Sequence, residues 1–171
     1  THIGGLHLDD NTLLTSLHGL EQLASAEGGL AIWRQPLITS LTPLSGITDT
    51  IDVRISGCTG RTSLDGLESQ TALLAIHLES NSALVDISAL AGHSYMDQIE
   101  LRSNYQLTDL TGLDDVHTVN TLAIGSSPLT NLAGLAGLTT VSDSLHLENN
   151  GSLTDLDALQ GIAPTRDITI A

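Results

Sequence analysis

Residues 145–159 of this 171-residue chain read Leu-His-Leu-Glu-Asn-Asn-Gly-Ser-Leu-Thr-Asp-Leu-Asp-Ala-Leu. The stretch opens with an apolar-x-apolar triplet, places an asparagine three residues later, and continues with leucines at intervals of three. A triplet of period two is typical of a short strand whose two apolar side chains point inward. We expect the spaced leucines to fill the same interior from other sides of a coil, with Gly, Ser, Asp and Pro at its corners.

The triplet recurs along the whole chain, first after 24 residues and then six times after 23. A fixed period of this length is the signature of a repeat architecture. The sequence therefore predicts a single all-β solenoid domain over residues 1–171, with about seven coils, a closing strand and no evident caps. One parallel sheet is expected on one side, with short irregular turns on the others. The triplets begin at Leu6, Leu30, Val53, Ile76, Ile99, Leu122, Leu145 and Ile168.

A column of small polar residues stands three positions after each triplet. An inward amide there can bond backbone groups of adjacent coils that the turn leaves unpaired, and a cysteine can replace it as a small buried residue. The predicted ladder consists of Asn11, Cys58, Asn81, Asn104 and Asn150, with Gln35 and Ser127 in the same column. Three coils depart from the pattern. Leu37 and Leu129 follow Pro36 and Pro128 one position early, and Gly60-Arg61 replaces apolar residues in the third coil, which we expect to pack least tightly.

The pattern Leu-x-Leu-x-x-Asn/Cys resembles the leucine-rich repeat, and residues 145–159 are similar to the receptor L-domain type of that repeat. The resemblance covers essentially the whole chain. It implies a right-handed solenoid and a non-catalytic role in binding or adhesion, with a protein or a glycan as partner. Many extracellular relatives carry cysteine-rich caps, whereas this chain has one cysteine. That difference favours a prokaryotic cell-surface or secreted protein over a eukaryotic receptor ectodomain.

The charge balance excludes several classes of partner. Five Lys+Arg face 20 Asp+Glu, for a formal net charge of −15, and such a surface repels nucleic acid and anionic lipid. Apolar runs stay well below the roughly 18 residues of a membrane span, so membrane insertion is not expected. The sequence has no lysine for a phosphate loop and no motif of a known catalytic site. Neither an enzyme nor a cofactor is predicted.

The outward face of the sheet is the natural binding surface. Trp33, the only tryptophan, is either an exposed anchor for a protein or sugar partner or a ring folded over Ala31. The predicted binding face comprises Trp33, Arg54, His77, Glu79, Glu100, Arg102, His146 and Glu148.

Histidines on this face suggest a metal site, but the spacing argues against one. His7, His77 and His146 share a column three coils apart, which separates them by about 14 Å. A site from His77, Glu79 and Glu100 is geometrically possible, although Arg54 and Arg102 flank it. We expect a surface ladder instead, with Glu100 beside His77 and Arg102 beside Glu79 as cross-strand partners. No metal is predicted.

The two ends of the solenoid leave two explanations open. The chain is either a piece of a longer repeat protein or a subunit that stacks head to tail into a filament through Leu6, Leu8, Ile168 and Ile170. Two remoter roles rest on other columns. Regular outward threonines could match an ice lattice, and acidic corners such as Asp9-Asp10 could hold calcium. The threonines are Thr15, Thr39, Thr62, Thr108, Thr130 and Thr154, with Val85 in the fourth coil.

Overall fold

The chain forms a parallel β-solenoid, as a computed structural model describing residues 1–163 and 165–171 shows. Eight strands form one parallel sheet in the order β10-β9-β8-β7-β6-β5-β4-β2, and β1 pairs with β3 in a second small sheet. The predicted all-β repeat of about seven coils is thereby confirmed. The strands are β1 His2–Ile3, β2 Leu6–Asp9, β3 Ser25–Ala26, β4 Leu30–Trp33, β5 Asp52–Ser56, β6 Ala75–Glu79, β7 Tyr95–Arg102, β8 Thr118–Gly125, β9 Thr140–Glu148 and β10 Asp167–Ile170.

The triplets pair in register, so equivalent residues of successive coils stand side by side. His77, for example, lies opposite Arg54 on one side and Glu100 on the other. Strands β7, β8 and β9 are longer than a triplet and begin several residues upstream. In each of them the upstream part pairs in register with its neighbour and contributes one buried residue, which is Met96, Val119 or Val141. The triplet alone did not predict this extension.

The corner after the threonine column has the same construction in all seven coils. A Ser, Asp or Asn side chain accepts a hydrogen bond from the backbone N–H two residues later, at 2.8–3.4 Å. These side chains replace a backbone partner that the turn cannot supply, as in Asx and ST turns. The residues are Ser16, Ser40, Ser63, Asp86, Asp109, Asn131 and Asp155.

The next corner takes one of two forms. Coils one, three and five place a glycine there with φ between +104° and +109°. A β-carbon at Gly66 would lie 2.3 Å from the backbone of Leu41, so neither the conformation nor the space suits another residue. The remaining coils use a short 3₁₀ turn. These turns span Thr42–Leu44, Ser88–Leu90, Ala133–Leu135 and Asp157–Leu159.

Leucine, isoleucine and valine fill the interior along the whole solenoid, and most are fully buried. In the second coil Ile38 is buried while Leu37 is 45% exposed. The expectation that Leu37 points inward one position early is therefore wrong, because Ile38 follows Gln35 at the same distance as Leu84 follows Asn81.

The third coil places a charged side chain in this apolar interior. Arg61 is 0% exposed, at the position that Leu84 and Leu107 occupy in the next two coils. Its Nε, Nη1 and Nη2 atoms donate no hydrogen bond to the described residues. Burial lowers the pKa of the guanidinium to about 10, well below the usual value of arginine, because desolvation disfavours its charged form.

The polar column links neighbouring coils through side-chain amides. Asn81, Asn104 and Asn150 each donate from Nδ2 to a strand carbonyl of the preceding coil, at 2.9–3.0 Å. Each also accepts on Oδ1 from a backbone N–H of that coil, at 3.0–3.2 Å. Cys58 repeats half of this geometry, with its Sγ 3.5 Å from the carbonyl of Ile32. Each amide thus satisfies two buried backbone groups.

Asn11 does not belong to this ladder, contrary to expectation. It is exposed, and its Nδ2 donates to the carbonyl of Asp9 in its own coil at 3.2 Å. The described residues include no coil on the side of β2 from which Asn81, Asn104 and Asn150 take their backbone partners. The asparagine therefore closes a local turn instead.

Candidate functional site

The outward face of the large sheet presents alternate residues of each strand. Around β4 the outward residues before Trp33 are small. They are Ala31, two positions before it in the strand, and Gly29, just before the strand begins. Ser56 stands directly opposite Trp33 on β5. The indole therefore rises from a part of the sheet where its neighbours have little bulk.

Trp33 is half-buried and contacts the ring of His7 edge to face, with the ring centroids 6.5 Å apart. Ala31, although it points outward, is only 6% exposed, so neighbouring side chains cover it. The indole keeps part of its surface accessible.

Two clefts meet at Trp33, and together their linings are called the Trp33 face below. The first cleft has a volume of about 290 Å³ and the second about 310 Å³. Trp33 and Arg54 line both clefts. The first is further lined by Arg34, Ser56, His77, Glu79 and Glu100, and the second by His7, Gly28, Gly29, Ala31 and Asp52.

Each arginine of the Trp33 face is paired with a carboxylate. The Nε and Nη2 atoms of Arg54 both lie 2.8 Å from Oδ2 of Asp52. Arg34 reaches back to the first coil and pairs with Asp9, with Asp10 3.8 Å from its Nε. These pairs hold both guanidinium groups beside the indole and offset their charge.

His77 stands between two carboxylates. Its Nδ1 lies 3.2 Å from Oε2 of Glu100, and its Nε2 lies 3.8 Å from Oδ1 of Asp52. The side chain is only 14% exposed. Neither Nε2 of His77 nor Oδ1 of Asp52 has a hydrogen-bond partner among the described residues. The structure therefore places Glu100 beside His77 and adds Asp52 on the other side.

Arg102 does not pair with Glu79, although the two residues stand opposite each other in the register. Its Nη1 lies 3.7 Å from Oε2 of Glu148, two coils further along. Gly125 occupies the same column between them and has no side chain to block the reach. Arg102 thus stands beside Glu79 as expected, while its guanidinium contacts Glu148 because the long side chain can span the gap that glycine leaves.

The remaining residues of the predicted face lie apart from the two clefts. Arg102, His146 and Glu148 belong to a stretch of the sheet whose floor is formed by Ala123 and Gly125, both buried. His146 pairs in register with Ala123 and Thr169. The structure thus brings together Trp33, Arg54, His77, Glu79 and Glu100, and separates them from His146 and Glu148.

Several residues of the Trp33 face lie outside the predicted binding face, among them His7, Gly28, Gly29, Ala31, Arg34, Asp52 and Ser56. Asp52 is two positions before Arg54 on the same outward face, so extending the outward columns one step upstream would have found it. Arg34 follows the strand with φ +50° and left no pattern in the sequence that marks its direction. Only the fold brings it to Asp9.

Within residues 1–163 and 165–171, no group of three or more His, Cys, Asp or Glu side chains is arranged to hold a metal ion. In the same described part of the chain, no helix is long and apolar enough to cross a bilayer.

Two further features lie outside the sheet face. All six threonines of the outward column are exposed, and Val85 is 45% exposed. At the C-terminal end of the solenoid, Ile168 and Ile170 are 57% and 55% exposed. These two side chains border an apolar cleft of about 290 Å³ together with Leu145, Leu156 and Leu159.

Comparison with protein families and curated proteins identifies no relative, so the function is inferred from the fold and the clefts. No protein-family model matches the chain, and a search of curated proteins finds no match.

Proposed function

We propose that the chain is a non-catalytic repeat module of the leucine-rich type, which binds a protein or glycan partner at the surface of a prokaryotic cell. The observation that carries this proposal is the position of Trp33 as the shared wall of two clefts. A partly accessible tryptophan flanked by arginines is the composition that dominates binding energy at interfaces. The paired side chains around it are held in place before any partner arrives, which lowers the entropic cost of binding.

The lining of the clefts supports binding rather than catalysis. Ser56 is the hydroxyl residue of the first cleft, and it forms no hydrogen bond with His77 among the described contacts. A nucleophile activated by a neighbouring base needs that contact. The carboxylates Asp52 and Glu100 instead contact Arg54 and His77.

The test compares two alanine variants on arrays of glycans and of extracellular protein domains. Trp33→Ala removes the shared wall, whereas Tyr105→Ala removes an aromatic side chain that is 58% exposed and lines neither cleft. We expect at least one ligand whose affinity falls tenfold or more for Trp33→Ala and is unchanged for Tyr105→Ala. The proposal fails if no ligand on either array shows binding that depends on Trp33.

A second candidate function is head-to-tail assembly, which the apolar C-terminal end favours. Ile168 and Ile170 are more than half exposed there, while Leu6 and Leu8 are half-buried at the opposite end. Asn81, Asn104 and Asn150 each donate from Nδ2 to the backbone carbonyl of the second apolar residue in the preceding coil's triplet. If a second copy stacked on the chain with the same spacing, Nδ2 of Asn11 in one copy would donate to the carbonyl of Ile170 in the other.

Light scattering and negative-stain electron microscopy at low and high salt test this assembly. Because the net charge is −15, copies repel each other and salt should promote stacking. Fibres that form at high salt and are lost in Ile168→Glu support assembly. A monomer at every salt concentration, or fibres that persist in Ile168→Glu, would contradict it.

A further inference from the structure

We infer that the ligand of the Trp33 face is a neutral, hydroxyl-rich glycan whose sugar rings lie across the strands, an inference that rests on the proposed function. The residues that carry it are the indole, the paired charges on either side of it, and the small residues beneath it. Each of these favours a sugar over a charged peptide or an anionic polymer.

The charge of the clefts disfavours an anionic ligand. Both arginines of the lining are already neutralised, Arg54 by Asp52 and Arg34 by Asp9. Glu79 and Glu100 add two further carboxylates to the first cleft. A sulfate, phosphate or uronate would therefore enter a site with a surplus of negative charge, in a protein whose net charge is −15.

A cationic peptide is also a poor fit, because most of the carboxylates are occupied. Asp52 binds Arg54, and Glu100 lies 3.2 Å from His77. Of the carboxylates described in the first cleft, that of Glu79 alone contacts no basic side chain. A lysine or arginine of a partner would have to displace Arg54 to reach Asp52, or His77 to reach Glu100.

Hydroxyl groups suit these paired charges because each hydroxyl both donates and accepts. A carboxylate in an ion pair still has lone pairs for a sugar O–H, and a guanidinium has donors to spare for a sugar oxygen. The ion pairs can thus remain intact while a neutral ligand binds.

The shape of the face supports the same ligand. The faces of sugar rings carry C–H groups that pack on the π-face of an indole, and Trp33 offers part of that surface. Gly28, Gly29 and Ser56 leave the sheet low on both sides of the ring. The two clefts extend from His7 on the first coil to Glu100 on the fifth, which is about 19 Å at the spacing of adjacent strands. A linear oligosaccharide of a few rings would span them with the indole at its centre.

The only tryptophan of the chain lies in the site, so its intrinsic fluorescence reports binding without a label. The probes are cellotetraose, chitotetraose, maltotetraose and mannotetraose, with tetragalacturonate as the anionic counterpart. We expect a saturable change in Trp33 emission with at least one neutral tetrasaccharide. We expect tetragalacturonate to bind at least tenfold more weakly.

Calorimetry with variants assigns the binding to the clefts. Glu79→Ala, on an exposed side chain, should weaken the tetrasaccharide tenfold or more without altering the fold. Arg166→Ala, at a side chain 81% exposed outside both clefts, is the matched control and should bind as the wild type does. Equal binding by Glu79→Ala and wild type would overturn the inference, as would tighter binding of tetragalacturonate.

The same experiments separate failure of this inference from failure of the proposed function. If no neutral tetrasaccharide changes the fluorescence while a protein on the array binds through Trp33, the glycan inference is wrong and the proposed function stands. If neither sugars nor proteins depend on Trp33, both are wrong.

Discussion

Replacing Arg61 by leucine should stabilise the protein, because the interior holds this charge without a partner. Arg61 is 0% exposed, and its three guanidinium nitrogens make no hydrogen bond to the described residues. The next two coils hold Leu84 and Leu107 at the same position. Arg61→Leu therefore introduces the residue that the repeat itself uses there, with a similar volume and no charge.

The expected gain is about 3 kcal/mol at pH 7. Burial lowers the pKa of Arg61 to about 10, more than two units below the usual value of arginine, and each unit of pKa corresponds to about 1.4 kcal/mol. The charged form predominates in both states at pH 7, so the whole penalty opposes folding there. As pH rises above about 10, the folded state loses the proton before the unfolded chain does, and the penalty shrinks. For a chain of this length the gain corresponds to a rise in Tm of about 6–12 °C.

Denaturant unfolding and calorimetry measure this difference, with Arg61→Lys as the control that retains the charge. Arg61→Leu should unfold at higher denaturant than the wild type, and Arg61→Lys should not. The advantage of leucine should also narrow above pH 10. A leucine variant that is no more stable than the wild type at pH 7 would refute the view that this guanidinium is an uncompensated buried charge.

Three further predictions concern the repeat itself. Asn104→Ala should lower the free energy of unfolding by about 2–5 kcal/mol, since it leaves two buried backbone groups unpaired. Asn11→Ala should change the free energy of unfolding little, and denaturant titration compares the two variants. Gly57→Ala should lower the free energy of unfolding by about 1 kcal/mol in the same titration, because φ at this position is +66° and the added β-carbon meets only ordinary van der Waals contacts. Ser103→Gly should raise it, because φ at Ser103 is +56° and glycine adopts that conformation without strain. Burial raises the pKa of the Cys58 thiol, so a thiol reagent at pH 8 should react with the unfolded chain and hardly at all with the folded one; rapid labelling of the native protein would contradict this.

The repeat could be predicted from the sequence because every coil uses the same local pattern. The triplets at 23-residue intervals required one strand per coil, and in the structure they pair residue for residue. The asparagine column followed from the same period, and Asn81, Asn104 and Asn150 bridge coils through their amides. Asn11 has the same residue type and lacks the bridge, because the hydrogen bonds depend on a neighbouring coil rather than on the amide itself.

Side-chain pairing on the sheet face was less predictable, since it depends on reach rather than register. Arg102 stands opposite Glu79 and nevertheless contacts Glu148, across the gap that Gly125 leaves. Arg34 lies just past the strand and still reaches Asp9. Long flexible side chains choose among several partners within a few ångströms, and a linear pattern does not rank those partners.

The sequence by itself determined the coil length, the large parallel sheet and the columns of residues on each face, because a regular solenoid repeats one local pattern along one axis. Only the tertiary structure decided that Trp33 separates two clefts, that His77 stands between Asp52 and Glu100, and that Arg61 is buried with no hydrogen-bond partner among the described residues. The physical reason is that clefts and ion pairs arise from the side chains of several coils acting together. Burial of a charge likewise depends on the volume that surrounding coils leave, which no single repeat contains.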